Sequence, residues 1–332
     1  NTSNAVELDV LSPEVCGTDY GIDACLWVGG VGQSGINAIG DLLCGRTNFS
    51  GRLVDTFCYD NTTSPAIQNA YVTSYTNAAE NSLAFKGTNN EYYTVYQEGI
   101  YVGYKYAETR YEDVVMGTPK AGSFNYSQVV SYPFGFGLSY TDFALSDMTV
   151  EKTGEGKDAA YTLTVNVTNT GAVPGKKTVQ VYAQKPYTDY DREHQIEKAA
   201  VELVGYGKTG LLSAGESEVV KVSVPEYYQT SYDTYGTGVY ILEDGTYYLT
   251  AADDAHAAAN QILAAKGYET DGDTALTYAI EQTFDAATYA TSMGTGEAVS
   301  PLFDVADMNR YEGRGDNLIV YYSRNDWEGT WP

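Results

Sequence analysis

An alternation of apolar and polar side chains is the feature that most restricts the fold of this chain. In the run Tyr161-Thr-Leu-Thr-Val-Asn-Val-Thr168 every second residue is apolar. A period of two places the apolar side chains on one face of a strand, as in a half-buried antiparallel sheet. Similar runs, separated by turn-forming residues, occupy residues 143–150, 178–183, 200–204, 218–224 and 245–250. Together they predict an immunoglobulin-like β-sandwich of about 100 residues.

The first part of the chain has a different pattern. Residues 22–28 are a short apolar run that ends in glycines, which predicts a buried parallel strand. Residues 35–43 carry apolar side chains at a helical spacing, with Gly45 as a stop signal. Residues 52–57 predict the start of an extended segment, and residues 60–95 predict a polar loop. Residues 96–111 are aromatic and predict a strand-like segment, which another loop follows at 112–131.

The last 80 residues are less regular. Residues 251–266 are rich in alanine and predict a short helix. The residues down to 307 predict an extended connector, and residues 318–322 regain strand character.

Composition restricts the partners. The net charge of −25 argues against nucleic acid and anionic membrane surfaces as partners and fits a neutral substrate. No run approaches the ~20 apolar residues of a membrane-inserted helix. Acidity, low Lys content and 32 Tyr residues favour an extracellular or cell-surface setting. No acidic metal cluster stands out in the sequence, and no cofactor is predicted.

The four cysteines and two histidines do not form a metal motif. All the cysteines lie within the first 58 residues, and their spacing matches no zinc pattern. Cys25 and Cys44 lie in apolar surroundings and are predicted to be small buried hydrophobes. Free thiols are favoured over a disulfide such as Cys16–Cys25.

Four segments in a fixed order point to a known family. They are Leu26-Trp-Val-Gly-Gly30, Gly51-Arg-Leu-Val-Asp-Thr-Phe57, Tyr96-Gln-Glu-Gly-Ile-Tyr-Val-Gly-Tyr-Lys-Tyr106 and Tyr132-Pro-Phe-Gly-Phe-Gly-Leu-Ser-Tyr140. In this order they resemble the C-terminal α/β domain of glycoside hydrolase family 3, the β-glucosidase and β-xylosidase group. The resemblance implies an α/β plus all-β fold. Its parts are the later half of the α/β sandwich domain at 1–140, a fibronectin type III-like (immunoglobulin-like) β-sandwich at 141–252, and an insertion and extended connector at 253–332.

The C-terminal residues refine this resemblance. Residues 322–332 resemble the connector of a permuted subgroup, in which a (β/α) barrel follows these domains. The resemblance implies that the chain is part of a retaining, β-glucosidase-like enzyme acting on terminal β-linked glucose or a related sugar. This part would shape the cleft and pack against its own barrel. Homo-oligomerisation is left open.

The catalytic pair is expected outside this numbering. Retaining glycosidases use a carboxylate nucleophile and a carboxyl acid/base about 5–5.5 Å apart. The resemblance implies an Asp nucleophile after residue 332 and a Glu acid/base before residue 1. Within the chain, Asp326 is a candidate nucleophile, with a linker role as the favoured alternative. Candidate substrate contacts are Trp327 and Trp331 near the expected barrel, and Asp191 and Arg192 in an acidic loop.

Two rival functions come from other features. Gly30, Gly32 and Gly35 form a literal G-x-G-x-x-G between a predicted strand and a predicted helix, with Asp55 twenty residues further on, as in dinucleotide-binding proteins. The structural alternative is a tight, glycine-rich turn. The abundant tyrosines are also compatible with a non-catalytic carbohydrate-binding or structural module.

Overall fold

The computed structural model describes residues 6–70, 95–302, 309 and 319–332. Its first part holds the helices α1 (Pro13–Cys16), α2 (Ile36–Leu43) and α3 (Pro65–Gln68) and the short strand β1 (Phe57–Cys58). Helix α2 confirms the predicted helix. Single 3-10 turns in the described ranges lie at Asp9–Leu11, Asn61–Thr63, Gly156–Asp158, Glu226–Gln229 and Thr274–Leu276.

The strand predicted at residues 22–28 is absent, so that prediction is wrong. Ile22 and Leu26 are 47% and 37% exposed, and Cys25 is exposed as well. A strand is held by hydrogen bonds to a neighbouring strand, and within the described part of the chain nothing pairs with this run. Cys44, directly after α2, is exposed, as is its neighbour Leu43 (64%), so the prediction that Cys25 and Cys44 are buried is wrong. All four cysteines are free thiols.

The segment predicted to be strand-like at residues 96–111 instead contains the helix α4 (Tyr104–Met116). The helix begins after Gly103 and ends before Gly117, which has a left-handed backbone (φ 63°). The N–H of Gly117 donates to the carbonyls of Asp113 and Val114 in the last turn. Seven residues of α4 are buried, and five of these are polar or charged. The helix therefore lacks the single apolar stripe from which a helical period is read. The loop predicted at 112–131 contains the end of α4, the turn α5 (Tyr126–Val129) and the start of β2 (Val130–Tyr132), which pairs with β1. Most of the polar loop predicted at 60–95 lies outside the described residues.

The predicted sandwich is confirmed. One sheet consists of three antiparallel strands in the order β3 (Phe143–Thr153), β4 (Ala160–Asn169) and β7 (Ser217–Pro225). The other has four strands in the order β11 (Thr277–Gln282), β10 (Gly245–Ala252), β5 (Thr178–Gln184) and β6 (Glu202–Lys208). The small ribbon β8 (Ser231–Tyr232) and β9 (Tyr240–Ile241) lies between β7 and β10 in the chain.

The core lies between the two sheets. In β4 buried and half-buried residues alternate along the whole strand, as the sequence predicts. Leu163 and Val167 are fully buried against Val181 of the facing sheet. Each such side chain contributes about 1.5–3 kcal/mol through removal of apolar surface from water.

Among the described residues, two helices connect strands of the sandwich and lie outside its core. The short α6 (Asp189–His194) begins with a capping box made by Thr188 and Asp191. Helix α7 (Ala255–Ala265) confirms the predicted alanine-rich helix. It is capped by the preceding Asp254, whose carboxylate accepts a hydrogen bond from the N–H of Ala257 (2.8 Å). Its buried face packs with Tyr182 on the outer side of the four-stranded sheet.

The segment predicted as a connector is more ordered than expected. Strand β11 within it pairs with β10 over six residues and becomes an edge of the sheet. The strand predicted at 318–322 is not observed at residues 319–322, while Leu318 lies outside the described residues. Tyr322 instead anchors this run, because its N–H donates to the carbonyl of Gln97 (2.7 Å) and its ring is buried. Among the described helices none is long and apolar enough to cross a membrane.

Candidate functional site

The C-terminal segment, residues 319–332, is joined to α4 by a buried ionic cluster. Arg324 donates from Nη2 to Asp113 Oδ1 (2.5 Å) and Glu112 Oε2 (3.1 Å), and from Nη1 to the carbonyl of Lys198 (3.1 Å). Lys266 at the end of α7 donates to the other oxygen of Glu112 (2.7 Å). Glu112, Asp113 and Arg324 are at most 6% exposed. The cluster thus ties α4, α7 and the C-terminal segment together.

The electrostatics of this cluster keep Glu112 and Arg324 in their charged forms. Burial raises the pKa of Glu112, but Lys266 and Arg324 lower it further, so its pKa lies below the usual value. Burial raises the pKa of Asp113 and outweighs the opposing effect of Arg324. The two carboxylates raise the pKa of Arg324 despite burial. Glu112 therefore stays ionised and does not serve as a proton donor near neutral pH.

An aromatic cluster surrounds the same segment. Trp327 is fully buried, and its Nε1–H donates to Asp113 Oδ2 (2.8 Å). Its ring lies 4.8 Å from that of Tyr101 and 4.9 Å from that of Tyr322, both in edge-on geometry. Both oxygens of Asp113 are thereby occupied by donors from the C-terminal segment. Asp113 is consequently a structural acceptor rather than a free acid.

A cleft of about 410 Å³ opens beside the ionic cluster. Glu112, Asp113, Arg324 and Lys266 lie on one part of its wall, and Tyr187 and Arg192 on another. The guanidinium groups of Arg192 and Arg324 lie 5.0 Å and 4.6 Å from the centre of the Tyr187 ring. Such cation–π contacts fix the position of the ring.

Only one of the five candidate residues lines this cleft. Arg192 is 40% exposed at its side chain and pairs with Asp189 (2.7 Å). Asp191, its neighbour, is fully buried and pairs with Lys198 (2.8 Å), which also contacts Glu243. Asp191 is therefore shielded from the cleft, although its predicted role in substrate contact is otherwise untested.

The other three candidates lie on the C-terminal segment. Asp326 is partly exposed and accepts from Lys120 (2.8 Å) and the N–H of Gly329 (3.2 Å), and these bonds lower its pKa. Trp331 is 39% exposed, with its ring 5.3 Å from that of Tyr322. Trp327 is fully enclosed and offers no face to a ligand in this structure. Their roles toward a substrate stay predictions.

The glycine-rich candidate lacks part of its expected context. Helix α2 follows Gly35, but residues before Gly30 form no strand. A side chain at Gly35 would meet the carbonyl of Val31, so glycine serves a tight turn here. The described residues also contain no group of three or more His, Cys, Asp or Glu placed to hold a metal ion.

Sequence reasoning missed Glu112, Asp113 and Arg324. The signal for them is weak, because Glu112 and Asp113 lie in a segment dominated by aromatic residues and Arg324 lies in a polar string. An adjacent acidic pair on one turn of a helix could have suggested a buried cation partner. The distance of 211 residues along the chain between Arg324 and Asp113 hides that partner.

A second ionic group gives a pH prediction. Glu202 pairs with Lys105 (2.5 Å) and Lys185 (3.0 Å). Burial raises its pKa, but the two lysines lower it further, to about 2 from an ordinary value of 4.5. An acid with a lowered pKa stabilises the folded state above its unfolded pKa, and this contribution is lost as the pH falls from about 4.5 toward 2. We therefore expect Glu202→Gln to lower the free energy of unfolding at pH 7 by about 2 kcal/mol.

The measurement is urea unfolding at pH 7, 5, 4 and 3. The difference between Glu202→Gln and the parent chain should shrink steadily below pH 4.5. Glu151→Gln, on the exposed part of β3, is the matched control and should show almost no difference. A difference in the free energy of unfolding that stays constant from pH 7 to pH 3 would contradict the lowered pKa of Glu202.

Two stretches of the chain match models of known domain families. Residues 4–104 match the glycosyl hydrolase family 3 C-terminal domain, and residues 177–255 match the fibronectin type III-like domain. The second match covers most of the four-stranded sheet and the start of α7. The chain belongs to glycoside hydrolase family 3, of which it carries the C-terminal domain and the fibronectin type III-like domain.

Individual relatives agree with this membership. Beta-glucosidase A of Butyrivibrio fibrisolvens is 33% identical over 236 residues, which are 67% of this chain and 24% of that protein. A β-glucosidase from Paenibacillus barengoltzii of known crystal structure is 30% identical with a TM-score of 0.52, covering 75% of this chain and 23% of that one. Beta-glucosidase 3B from Thermotoga neapolitana, solved with glycerol, is 26% identical with a TM-score of 0.53, covering 85% and 31%. The chain spans about a quarter of the length of the first curated relatives that it matches.

Proposed function

We propose that this chain is part of a retaining β-glucosidase that removes terminal β-linked glucose, or a related sugar, from oligosaccharides or glycosides. The observation that carries the proposal is the named activity of its relatives. Beta-glucosidase A of Butyrivibrio fibrisolvens aligns with two thirds of the chain at 33% identity. A scaffold shared at this level supports a shared substrate class, while the particular sugar depends on the residues around the reacting carbon.

The part played by residues 1–332 is to shape the cleft and to brace a catalytic barrel. This role is supported by the geometry of the two carboxylates beside the cleft, because both are already bound by neighbouring side chains. Glu112 is neutralised by Lys266 and Arg324, and both oxygens of Asp113 are occupied by Arg324 and Trp327. A nucleophile needs a free oxygen that faces the substrate, and an acid/base needs a proton to give.

The catalytic carboxylates of this proposal lie outside residues 1–332. An Asp after residue 332 attacks the anomeric carbon while a Glu before residue 1 protonates the departing oxygen, which leaves a glycosyl-enzyme and a free alcohol. The same Glu then takes a proton from water, which attacks the glycosyl carbon and releases the sugar and the Asp carboxylate. The configuration at the anomeric carbon is therefore retained. This sequence of steps needs neither a metal nor a cofactor.

The test compares two proteins on 4-nitrophenyl β-D-glucopyranoside. The polypeptide translated from the natural gene should release nitrophenolate, and proton NMR of the first product should show β-glucose before mutarotation. Residues 1–332 expressed alone should show no turnover above the no-enzyme rate. Turnover by residues 1–332 alone would contradict the placement of the catalytic pair. A natural polypeptide that hydrolyses neither β-glucosides nor β-xylosides would contradict the function itself.

A further inference from the structure

A second groove lies at the seam between α4 and the edge strand β6, and it shares the side chain of Lys185 with the cleft beside Arg324. Its volume is about 480 Å³, within the range of small-molecule sites. Three tyrosines line it, Tyr104, Tyr206 and Tyr228. The remaining polar lining comes from Lys105, Lys185 and Glu202. Grooves at the junction of two structural units are common places for ligands.

The pattern of β6 directs one tyrosine outward. Gly205 and Gly207 face the other sheet, because a side chain there would come within 2.7 Å of Val222 and 2.5 Å of Val220. Successive residues of a strand point to opposite faces, so Tyr206 between them points away from the core. It is 71% exposed. Within the described residues β6 pairs only with β5, so the groove is open on its other side.

A second tyrosine is held rigidly. The ring of Tyr104 stacks on Phe134 at 4.5 Å, and its hydroxyl accepts a hydrogen bond from the N–H of Leu203 (3.0 Å). Tyr228 follows on the 3-10 turn Glu226–Gln229 and is 49% exposed. Tyr104 therefore forms a fixed wall of the groove beside the exposed rings of Tyr206 and Tyr228. Aromatic rings of this kind present a flat apolar face next to polar edges.

The charged groups of the groove are engaged with one another. Glu202 binds both Lys105 and Lys185, and Lys185 also donates to the carbonyl of Thr230 (2.7 Å). The two lysines and the one carboxylate leave a single excess positive charge, and their ion pairs keep donors and acceptors at fixed positions for hydroxyl groups. The whole chain carries a net charge of −25, which opposes the approach of a polyanion.

We propose that this groove binds a neutral β-glucan chain, whose sugar rings stack on Tyr206 and Tyr228 while its hydroxyls meet Glu202 and the lysines. Binding here would hold a polymer near the enzyme without any bond being broken. The choice of glucose as the sugar rests on the proposed function. The groove itself rests on the geometry alone, so binding is measured independently of hydrolysis.

Native gel electrophoresis in gels containing soluble barley β-glucan tests the proposal. The natural polypeptide and residues 1–332 should both migrate more slowly than in plain gels. Tyr206→Ala and Tyr228→Ala should each raise the apparent dissociation constant roughly fivefold. Tyr278→Ala is the matched control, because Tyr278 is 43% exposed on β11 at the opposite edge of the same sheet. It should leave retardation unchanged, and circular dichroism checks that each variant is folded.

Several results would overturn the proposal. Equal retardation of Tyr206→Ala and the parent chain would remove the tyrosines as the binding surface. Retardation by polygalacturonate but not by β-glucan would mean that the lysines bind anions. Retardation of residues 1–332 but not of the natural polypeptide would show that another part of the protein covers the groove. Loss of β-glucosidase activity with retained binding would instead bear on the proposed function only.

Discussion

Replacing Arg324 by alanine is expected to lower the free energy of unfolding by about 3–5 kcal/mol. The guanidinium is buried against Glu112 and Asp113, and its removal leaves two buried carboxylates with too little positive charge. The remaining donors are Lys266 and Gln184, which reach only Glu112, and Trp327, which reaches only Asp113. The C-terminal segment would lose its main ionic tie to α4. Urea unfolding at pH 7, followed by far-UV circular dichroism, measures the change.

Two matched variants separate burial from charge in this prediction. Arg192→Ala removes a guanidinium from the same cleft, but one that is 40% exposed, and is expected to cost less than about 1 kcal/mol. Arg324→Lys keeps the charge but loses the planar fork that reaches both carboxylates, so an intermediate loss is expected. A loss below about 1 kcal/mol for Arg324→Ala would mean that the cluster is solvated rather than buried.

Replacing Trp327 by alanine is expected to cost about 3–5 kcal/mol as well. The indole is fully buried among Tyr101, Tyr106 and Tyr322, so a large cavity would remain. The change also removes the Nε1–H donor to Asp113, which leaves a buried carboxylate oxygen without that partner. The expected result is a lower urea midpoint with an unchanged slope.

Trp331 supplies the control for this change. It lies on the same segment but is 39% exposed, so Trp331→Ala should cost about 1 kcal/mol or less. If Trp327 were instead a sugar platform, its replacement would weaken substrate binding while leaving stability intact. Equal and small losses for the two variants would contradict the buried position of Trp327.

The sandwich could be predicted from the sequence because its signal is local. In β4 the period of two is unbroken from Tyr161 to Val167, and the turns beside it carry Gly and Pro. The alanine-rich α7 and the amphipathic α2 were equally readable. The pattern that predicts each of these elements lies within about ten residues, so the prediction does not depend on distant parts of the chain.

The errors came from segments whose structure depends on distant residues. Helix α4 carries buried polar residues because Arg324 and Lys266 arrive from other parts of the chain to pair with them. Its aromatic residues suggested a strand, since aromatic side chains are common in sheets. The run 22–28 looked like a strand because it is apolar, but apolar character alone provides no hydrogen-bonded neighbour.

The same limit applies to the site. Short motifs such as residues 132–140 indicate the family from the sequence alone, because the residues of each motif are adjacent along the chain. The ionic cluster cannot be predicted in this way, because Arg324 lies 212 residues from Glu112 and 211 residues from Asp113 along the chain. Asp191, predicted to lie in an acidic loop next to Arg192, is instead buried in the first turn of α6, where it forms the capping box with Thr188.

Covalent labelling of the nucleophile tests the central claim most directly. A 2-deoxy-2-fluoro-β-glucoside with a good leaving group reacts with a retaining glycosidase but leaves the glycosyl-enzyme only slowly, because the fluorine destabilises the oxocarbenium-like transition state. The polypeptide from the natural gene would be labelled, digested and mapped by mass spectrometry. The account predicts one glucosyl adduct, on an aspartate outside residues 1–332. An adduct on Asp326 or any other residue of this chain would contradict it, and so would an active enzyme that forms no adduct.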